Sequence, residues 1–562
     1  MGVPGAVSSA GVSSSIQSLL AERDTRWYRG HIGKLNGIIF FVLIMSMTNG
    51  YDGSMMNGLT ALDNWRTFFK NPQNKPTLFG VYNAIQSIGT ICGLPFAPYA
   101  SDYLGRRGAI FLACTIMIIA SGLQAGAQNV AMFIASRFLI GFGVSFGNIS
   151  APVLVSELAY PTHRGPLTSL YNSMWFLGSI VAAWTTFGTF RIQSTWSWRI
   201  PSAIQGLPSV IQFGMIYFIP ESPRWLIAHG KDEAAIAFLR KYHCGGDEND
   251  PLALFEYEEI KRNIEHEKEA SAQSSWKALF TEKANLRRIR IIIAISFFSQ
   301  WSGNGLVSYY LAVVLEGIGI TSQNHKTLIN GVLQIWNWFW AILGALNVER
   351  VGRRFLFLAS TGGMCICFCL WTACSAVYAK SSHDFDPACV AKNKGDTSKC
   401  VAKDANRQAG HAVVAFIFLF NAFYAVAMSP LVVSYCVEIL PFRVRSKGVM
   451  VKSMTISAAL VFNQYVNPIA LAKIHWKYYI VFCAFLAFEF VYCFFFVMET
   501  RGPNGPLPLE EIAAIFEGPA HFGFQKRPEM PGARADDEAV DADADSIRKE
   551  KENTDAEFIE RK

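Results

Sequence analysis

The chain has 562 residues, of which 51% are hydrophobic, 14% aromatic and only 17% charged. A soluble chain of this length carries about a quarter charged residues and divides into several domains, so an ordinary soluble enzyme is excluded. The formal net charge of +7 is modest and gathers in a few loops, which gives no reason to expect a nucleic-acid partner.

Residues 1–33 are polar and lack the apolar core of a cleavable signal peptide, so insertion is expected to rely on the first membrane span. Apolar runs long enough to cross a ~30 Å hydrocarbon core then follow at 34–58, 78–99, 108–126, 130–150, 167–189 and 200–219. A polar interval, 220–287, separates them from runs at 288–316, 328–347, 354–378, 411–436, 447–470 and 476–498. The pattern predicts an all-α polytopic membrane protein with twelve transmembrane helices in two sets of six, at 34–219 and 288–498.

Basic residues orient the spans. DYLGRRG joins spans 2 and 3, PTHRG spans 4 and 5, ERVGRR spans 8 and 9, and FRVRSKG spans 10 and 11. All four fall on one side, which the positive-inside rule makes cytoplasmic, together with both termini. The 220–287 interval reads as charged, amphipathic helices bracing that side. The loop at 379–410 then faces outward, and its Cys389 and Cys400 are either a disulfide or two unpaired thiols. The tail, 499–562, turns charged and poor in aromatics, and is expected to be disordered after about 530.

The two halves repeat each other. Asp102-Tyr-Leu-Gly105-Arg106-Arg107 follows span 2, and Glu349-Arg-Val-Gly352-Arg353-Arg354 follows span 8. Glu157 through Arg164 and Gly165 follow span 4, and Glu438 through Arg443, Arg445 and Gly448 follow span 10. Parallel six-helix repeats mark a transporter architecture that binds its substrate between the halves near the midplane. The Gly lets two helix ends approach, and the Arg–carboxylate sets either gate the inner side through ion pairs between bundles or serve only as topology charge.

With SELAYPTHRG, PESPRWL, SQWSGNGLVSYY, VEILPFRVRSKG and METRG in order, the chain resembles the sugar porter family of the major facilitator superfamily. The variants QWSGNG, PLVVSYCVEILP and FNQYVNPIA are similar to its fungal lactose-permease-type branch, which handles disaccharides and some hexoses. The resemblance implies two pseudo-symmetric six-helix bundles, no cofactor, no catalytic or metal site, and a carrier functional as a monomer in the plasma membrane.

A sugar site needs amides for hydroxyls and rings for C–H faces. Asn172 stands where the family has a sugar-contacting Gln; Gln300 matches the second of its paired glutamines, and Asn337 a sugar-binding Asn. Asn463 falls near another such position. Asn304 is displaced by one residue from the family's Asn, an offset of about 100° on a continuous helix. Val433 replaces the family's stacking Trp, which would widen the pocket. Tyr309, Tyr310, Trp301, Trp336, Phe423 and Tyr424 lie at a suitable depth. Each of these amides and rings has an alternative role in helix packing.

Asp52 is the remaining anomaly, an acid within the outer part of span 1, flanked by Gly50 and Gly53. Arg137 in span 4 lies at a similar depth. Each would cost at least ~2.5–3.5 kcal/mol unpaired near the bilayer centre, so mutual neutralisation is expected. The resemblance implies a proton-coupling pair, because proton-coupled sugar porters carry both residues and facilitators usually lack the Asp. The sequence therefore reads as a proton–sugar symporter, with a facilitator, a sugar sensor and an exporter of another metabolite as alternatives.

Overall fold

Hydrocarbon offers no water to backbone N–H and C=O groups, so a crossing segment must close its hydrogen bonds within itself. The computed structural model describes residues 26–502 except 29, 249, 274–275 and 382–405, and also 505–506, 512 and 515–516. Cys389, Cys400 and the tail beyond 530 lie outside the described residues, as do the side chains of Glu349 and Arg443.

In the first half, α1 (Gly30–Thr60) crosses and the short α2 (Asp63–Phe68) follows. The second crossing is split into α3 (Pro76–Gly93) and α4 (Ala97–Tyr103). Then come α5 (Gly105–Ala125), α6 (Val130–Leu158) and α7 (Arg164–Thr189). The sixth crossing is again split, into α8 (Trp196–Ile204) and α9 (Leu207–Met215). Four helices outside the spans follow: α10 (Pro223–Ala228), α11 (Asp232–Tyr242), α12 (Pro251–Gln273) and α13 (Trp276–Thr281).

The second half opens with a crossing broken into α14 (Lys283–Trp301) and α15 (Asn304–Gly317). It continues through α16 (Gln323–Val351), α17 (Arg353–Ser381), α18 (Arg407–Ile439), α19 (Phe442–Ile474) and α20 (Tyr478–Phe496). Six helical stretches, the last holding α20 and most of α19, are long and apolar enough to span by composition alone. The other crossings are interrupted or carry amides, for reasons the site explains.

In the first bundle α1 packs on α7, and α6 on α3 and α5; in the second α18 packs on α16 and α17, and α14 on α19. The bundles meet along α3–α19, α7–α16 and α1–α15. The α1–α7 contact is backbone on backbone. A Cβ at Gly50 would strike the Trp175 carbonyl, and one at Gly178 the Met47 carbonyl. Ser179 Oγ donates to Gly50 O at 3.0 Å across it.

The Gly-Arg-Arg turns are built alike in both halves. Gly105 (φ +83°) and Gly352 (φ +94°) hold the left-handed backbone that favours glycine. The following helix starts are each capped by a carboxylate arriving from beyond that half's last span. Glu221 accepts from the backbone N–H of Arg106 and Arg107, both at 3.1 Å. Glu499 accepts from Arg353 at 2.9 Å and Arg354 at 3.1 Å. Burial raises the Glu221 carboxyl above the usual carboxylate range, while the backbone N–H groups and Arg106 oppose that shift. The second arginine of each motif returns to the last span: Arg107 donates to Tyr217 O at 3.5 Å and Arg354 to Phe494 O at 2.8 Å.

The helices α10–α13 lie on the Gly-Arg-Arg face. Trp225 Nε1 donates to Asp102 O at 2.7 Å. His243 joins Glu256 at 2.7 Å and the Leu158 carbonyl at 3.3 Å, fastening this layer to the end of α6.

A Cβ at position 352 would lie 2.7 Å from Glu499 Oε2. Gly352→Ala is therefore expected to cost roughly 1–2 kcal/mol for the left-handed backbone alone and to lower the unfolding temperature in detergent. Gly122→Ala, where a Cβ meets nothing within 4 Å, is the control expected to be silent. An unchanged melt for Gly352→Ala would contradict this account of the turn.

Candidate functional site

A cavity of about 400 Å³ lies at the seam of the bundles. The first bundle lines it with Asn49, Gln86, Asn148 and Trp175 among others, and the second with Gln300, Asn304, Tyr309, Gln334, Asn337, Asn421 and Tyr424. Among the described residues, none of its lining side chains is charged. Its chemistry is that of hydroxyl recognition: amide donors and acceptors, a few hydroxyls, and aromatic faces.

The break between α14 and α15 shapes this wall. Ser302 ends α14 and Gly303 takes φ +95°. A helix end frees its last carbonyls; two side chains from neighbouring helices meet carbonyls of α14, and Tyr310 of α15 bonds outward to a carbonyl of α19. Tyr424 donates to Ser299 O at 2.9 Å, Asn463 Nδ2 to Gln300 O at 2.8 Å, and the Tyr310 hydroxyl to Gln464 O. The 100° offset expected for Asn304 assumed a continuous helix. Because the helix restarts at Asn304, that side chain lines the cavity, with its Oδ1 accepting from Ser308 at 3.1 Å.

Gln300, Asn304, Asn337 and Tyr309 thus converge on one cavity. Three expected contacts do not join them. Asn463 and Tyr310 are buried and committed to backbone carbonyls, Asn463 at the helix break and Tyr310 on α19. Asn172 is exposed one turn before Phe176 on α7, outside the lining residues. Of the remaining aromatics, Tyr424 lines the cavity. Trp301 stacks on Phe297, and Trp336 donates to Phe418 O. Val433 lines the wall where a Trp was missed.

Asp52 is completely buried and Arg137 nearly so, but the direct pair expected from the sequence does not form. Asp52 Oδ1 accepts from Gln205 Nε2, and Gln205 in turn accepts from Gln124 at 3.1 Å. Arg137 donates to Tyr82 O at 2.9 Å and to Gln86 Oε1 at 2.7 Å. Asp52 Oδ2 and Arg137 Nη1 are each enclosed without a partner. The reason is reach: α3 lies against α6 and offers the guanidinium a carbonyl and an amide first. Gln86 and Gly53 both line the cavity, so each charged residue has a neighbour facing it. A further acid, Glu489, is fully buried in α20 with neither oxygen bonded.

Among the described residues, three ion pairs on the Gly-Arg-Arg face lie within a bundle. Arg106 meets Asp102 and Glu157, each at 3.2 Å, and Arg353 meets Glu438 at 3.2 Å. Thr500 adds a bond to Glu438 at 2.8 Å. Arg164 is exposed at the start of α7, and Arg445 donates to Leu440 O at 3.3 Å. The polar links between bundles lie toward the opposite face. Asn57 donates to Val307 O at 3.2 Å and Asn330 Oδ1 at 3.1 Å. Beyond it, Glu316 Oε1 takes both Arg66 at 2.6 Å and Lys326 at 2.7 Å.

Two six-helix bundles around a polar cavity, tied to each other by polar links toward one face, define a membrane transporter. Residues 38–516 match the model of the sugar (and other) transporter family, and the chain belongs to that family, the sugar porters of the major facilitator superfamily. A high-affinity glucose transporter of Kluyveromyces lactis is 28% identical over 482 residues, covering 86% of this chain and 85% of the relative. A quinate permease of Neurospora terricola is 27% identical, covering 87% and 91%. The inward-open xylose transporter XylE of E. coli superposes with a TM-score of 0.68 at 22% identity, covering 86% of this chain and 99% of XylE. That likeness carries the fold.

Breaking the contact at Glu316 is expected to loosen the face carrying the polar links between bundles. With Glu316→Gln, a cysteine introduced at Ser308 in the cavity should react faster with an impermeant thiol reagent added from that face. An unchanged rate would show that Glu316 takes no part in the seal.

Proposed function

We propose that the protein is a proton-coupled symporter that imports a neutral sugar, a disaccharide or hexose, across the plasma membrane. The carrying observation is the cavity: amides, hydroxyls and rings from both bundles with no charged side chain among the described lining residues, beside a fully buried aspartate. Sugars present uncharged hydroxyls and apolar C–H faces, which this lining matches. Among the relatives, the Kluyveromyces lactis protein is named a glucose transporter, and the E. coli neighbour a proton:xylose symporter. Carriage of a carboxylate such as quinate is the second reading, since a relative is named for it. The uncharged lining speaks against it, because a buried carboxylate without a cation is costly.

The Gly-Arg-Arg face is the cytoplasmic one in this reading, and the opposite face is extracellular. Asp52 is the proton site. Ionised, its enclosed Oδ2 has no partner, which disfavours closure of the bundles around it; protonation from outside removes that penalty. Gln205 holds the carboxyl in place through either state, as an amide donates to both forms. Arg137, tied to the cavity through Gln86, lowers the cost of the ionised state from a distance. A proton moving inward gains ~2.3 kcal/mol per 100 mV, sufficient for over tenfold accumulation at one-to-one stoichiometry.

Purified protein in liposomes tests the reading. With an imposed proton gradient, the wild type should concentrate a sugar from a panel of lactose, cellobiose, glucose, xylose and galactose. Asp52→Asn should lose concentration above equilibrium while keeping sugar counterflow. Accumulation by the variant at the wild-type level would refute proton coupling through Asp52.

A further inference from the structure

We propose that Trp175 is the ring on which the sugar packs, so that the stacking wall belongs to the first bundle and lies on the helix pair that carries Asp52. The inference rests on the sugar reading above and assigns the residue that selects and seats that sugar.

The second bundle offers no free ring in the expected place, because Val433 occupies the wall there. Its two aromatic lining residues are Tyr309 and Tyr424, and the Tyr424 hydroxyl is committed to Ser299 O. In the first bundle, Phe176 is 7% exposed and packs with Ala341 and Ala425 of the other bundle. Trp175 packs against the same cluster but is only partly buried. It lines the cavity, and its single aromatic neighbour among the described residues is Phe176, edge-on at 5.1 Å and 85°. No second aromatic ring stacks on it among the described residues. Its indole N–H is not among the enclosed, unbonded polar groups of the described residues. The same group in Trp338 and Trp340 is sealed in the core. A ligand in the cavity would meet the part of the indole that lines it and a donor at its edge, the combination that suits a ring with hydroxyls at its rim.

The position of Trp175 adds a consequence. A Cβ on Gly53 would meet its ring at 3.5 Å, and its carbonyl packs against Gly50. Ser179 Oγ bonds to both Gly50 O, at 3.0 Å, and Trp175 O, at 3.3 Å. The segment gripped by these contacts, 50–53, contains Asp52. A sugar lying on Trp175 thus bears directly on the backbone that positions the proton site.

Counterflow of the neutral sugar panel in liposomes, with Trp175→Phe and Trp175→Leu, tests this. Trp175→Leu should raise the sugar's half-saturation concentration roughly tenfold, the size of a lost aromatic contact, with the maximal exchange rate largely kept. Trp175→Phe, which retains a ring, should lose less affinity. Sugar-dependent quenching of intrinsic tryptophan fluorescence is a second readout, and Trp175→Phe should abolish most of it. A wild type that exchanges none of the sugars overturns both this inference and the sugar reading. A wild type that exchanges sugar, with Trp175→Leu matching its half-saturation concentration, overturns the inference alone.

Discussion

A polar group in hydrocarbon has no water to bond, and the location of this chain's amides follows from that constraint. They collect at the seam, where the opposite bundle or the cavity can satisfy them. Asn57 reaches Asn330, Ser87 reaches Gln464 at 2.8 Å, and Gln86 holds Arg137. Such bonds are strong in a low dielectric, yet each is replaceable by water when the seam opens. An apolar seam would also seal, but its opening would expose hydrocarbon to water at a cost proportional to area. A seam of exchangeable hydrogen bonds keeps the open and closed arrangements close in energy, as alternating access requires.

The same constraint accounts for the broken crossing at 302–303. A discontinuous helix is tolerated at membrane depth only where protein or a cavity satisfies its freed backbone, and here Tyr424 and Asn463 do so. The break takes the Asn463 amide for its backbone, outside the cavity lining. It gains Asn304, which the restart of the helix turns toward the cavity. The layout of the second wall is therefore a compromise between closing the backbone and recognising a ligand.

How much was legible in the sequence depended on whether the signal was local. Span count, repeat and family were carried by apolar length and by motifs, and the fold agrees with them. Gln300 and Asn337 stand out in the sequence by their match to family positions and Tyr309 by its depth, and all three line the cavity. Asn463 and Tyr310 resemble ligand groups in the sequence because the backbone carbonyls they bond, one at the break and one on α19, are invisible to composition. Trp175 went unremarked because an aromatic in an apolar span looks like lipid-facing bulk. Asp52 and Arg137 make no direct ion pair because equal depth does not fix azimuth, and nothing in the sequence marks Gln205 as the nearer partner. Glu221 and Glu499 were available: both lie in quoted motifs just after the sixth span of their half, and the repeat itself related them.

Those two glutamates have a bearing on how the chain is made. Each fastens the turn after its half's second crossing to the end of the sixth, so neither bundle is closed until its final segment has emerged from the ribosome. Glu221 precedes every span of the second half, so the first bundle can reach its finished form while the second is still being synthesised. Glu499 stands just beyond the last crossing, and a nascent chain ending short of it would carry all twelve spans with the second bundle unclasped. Quality control at the translocon would then discriminate against late truncations that leave every membrane segment intact.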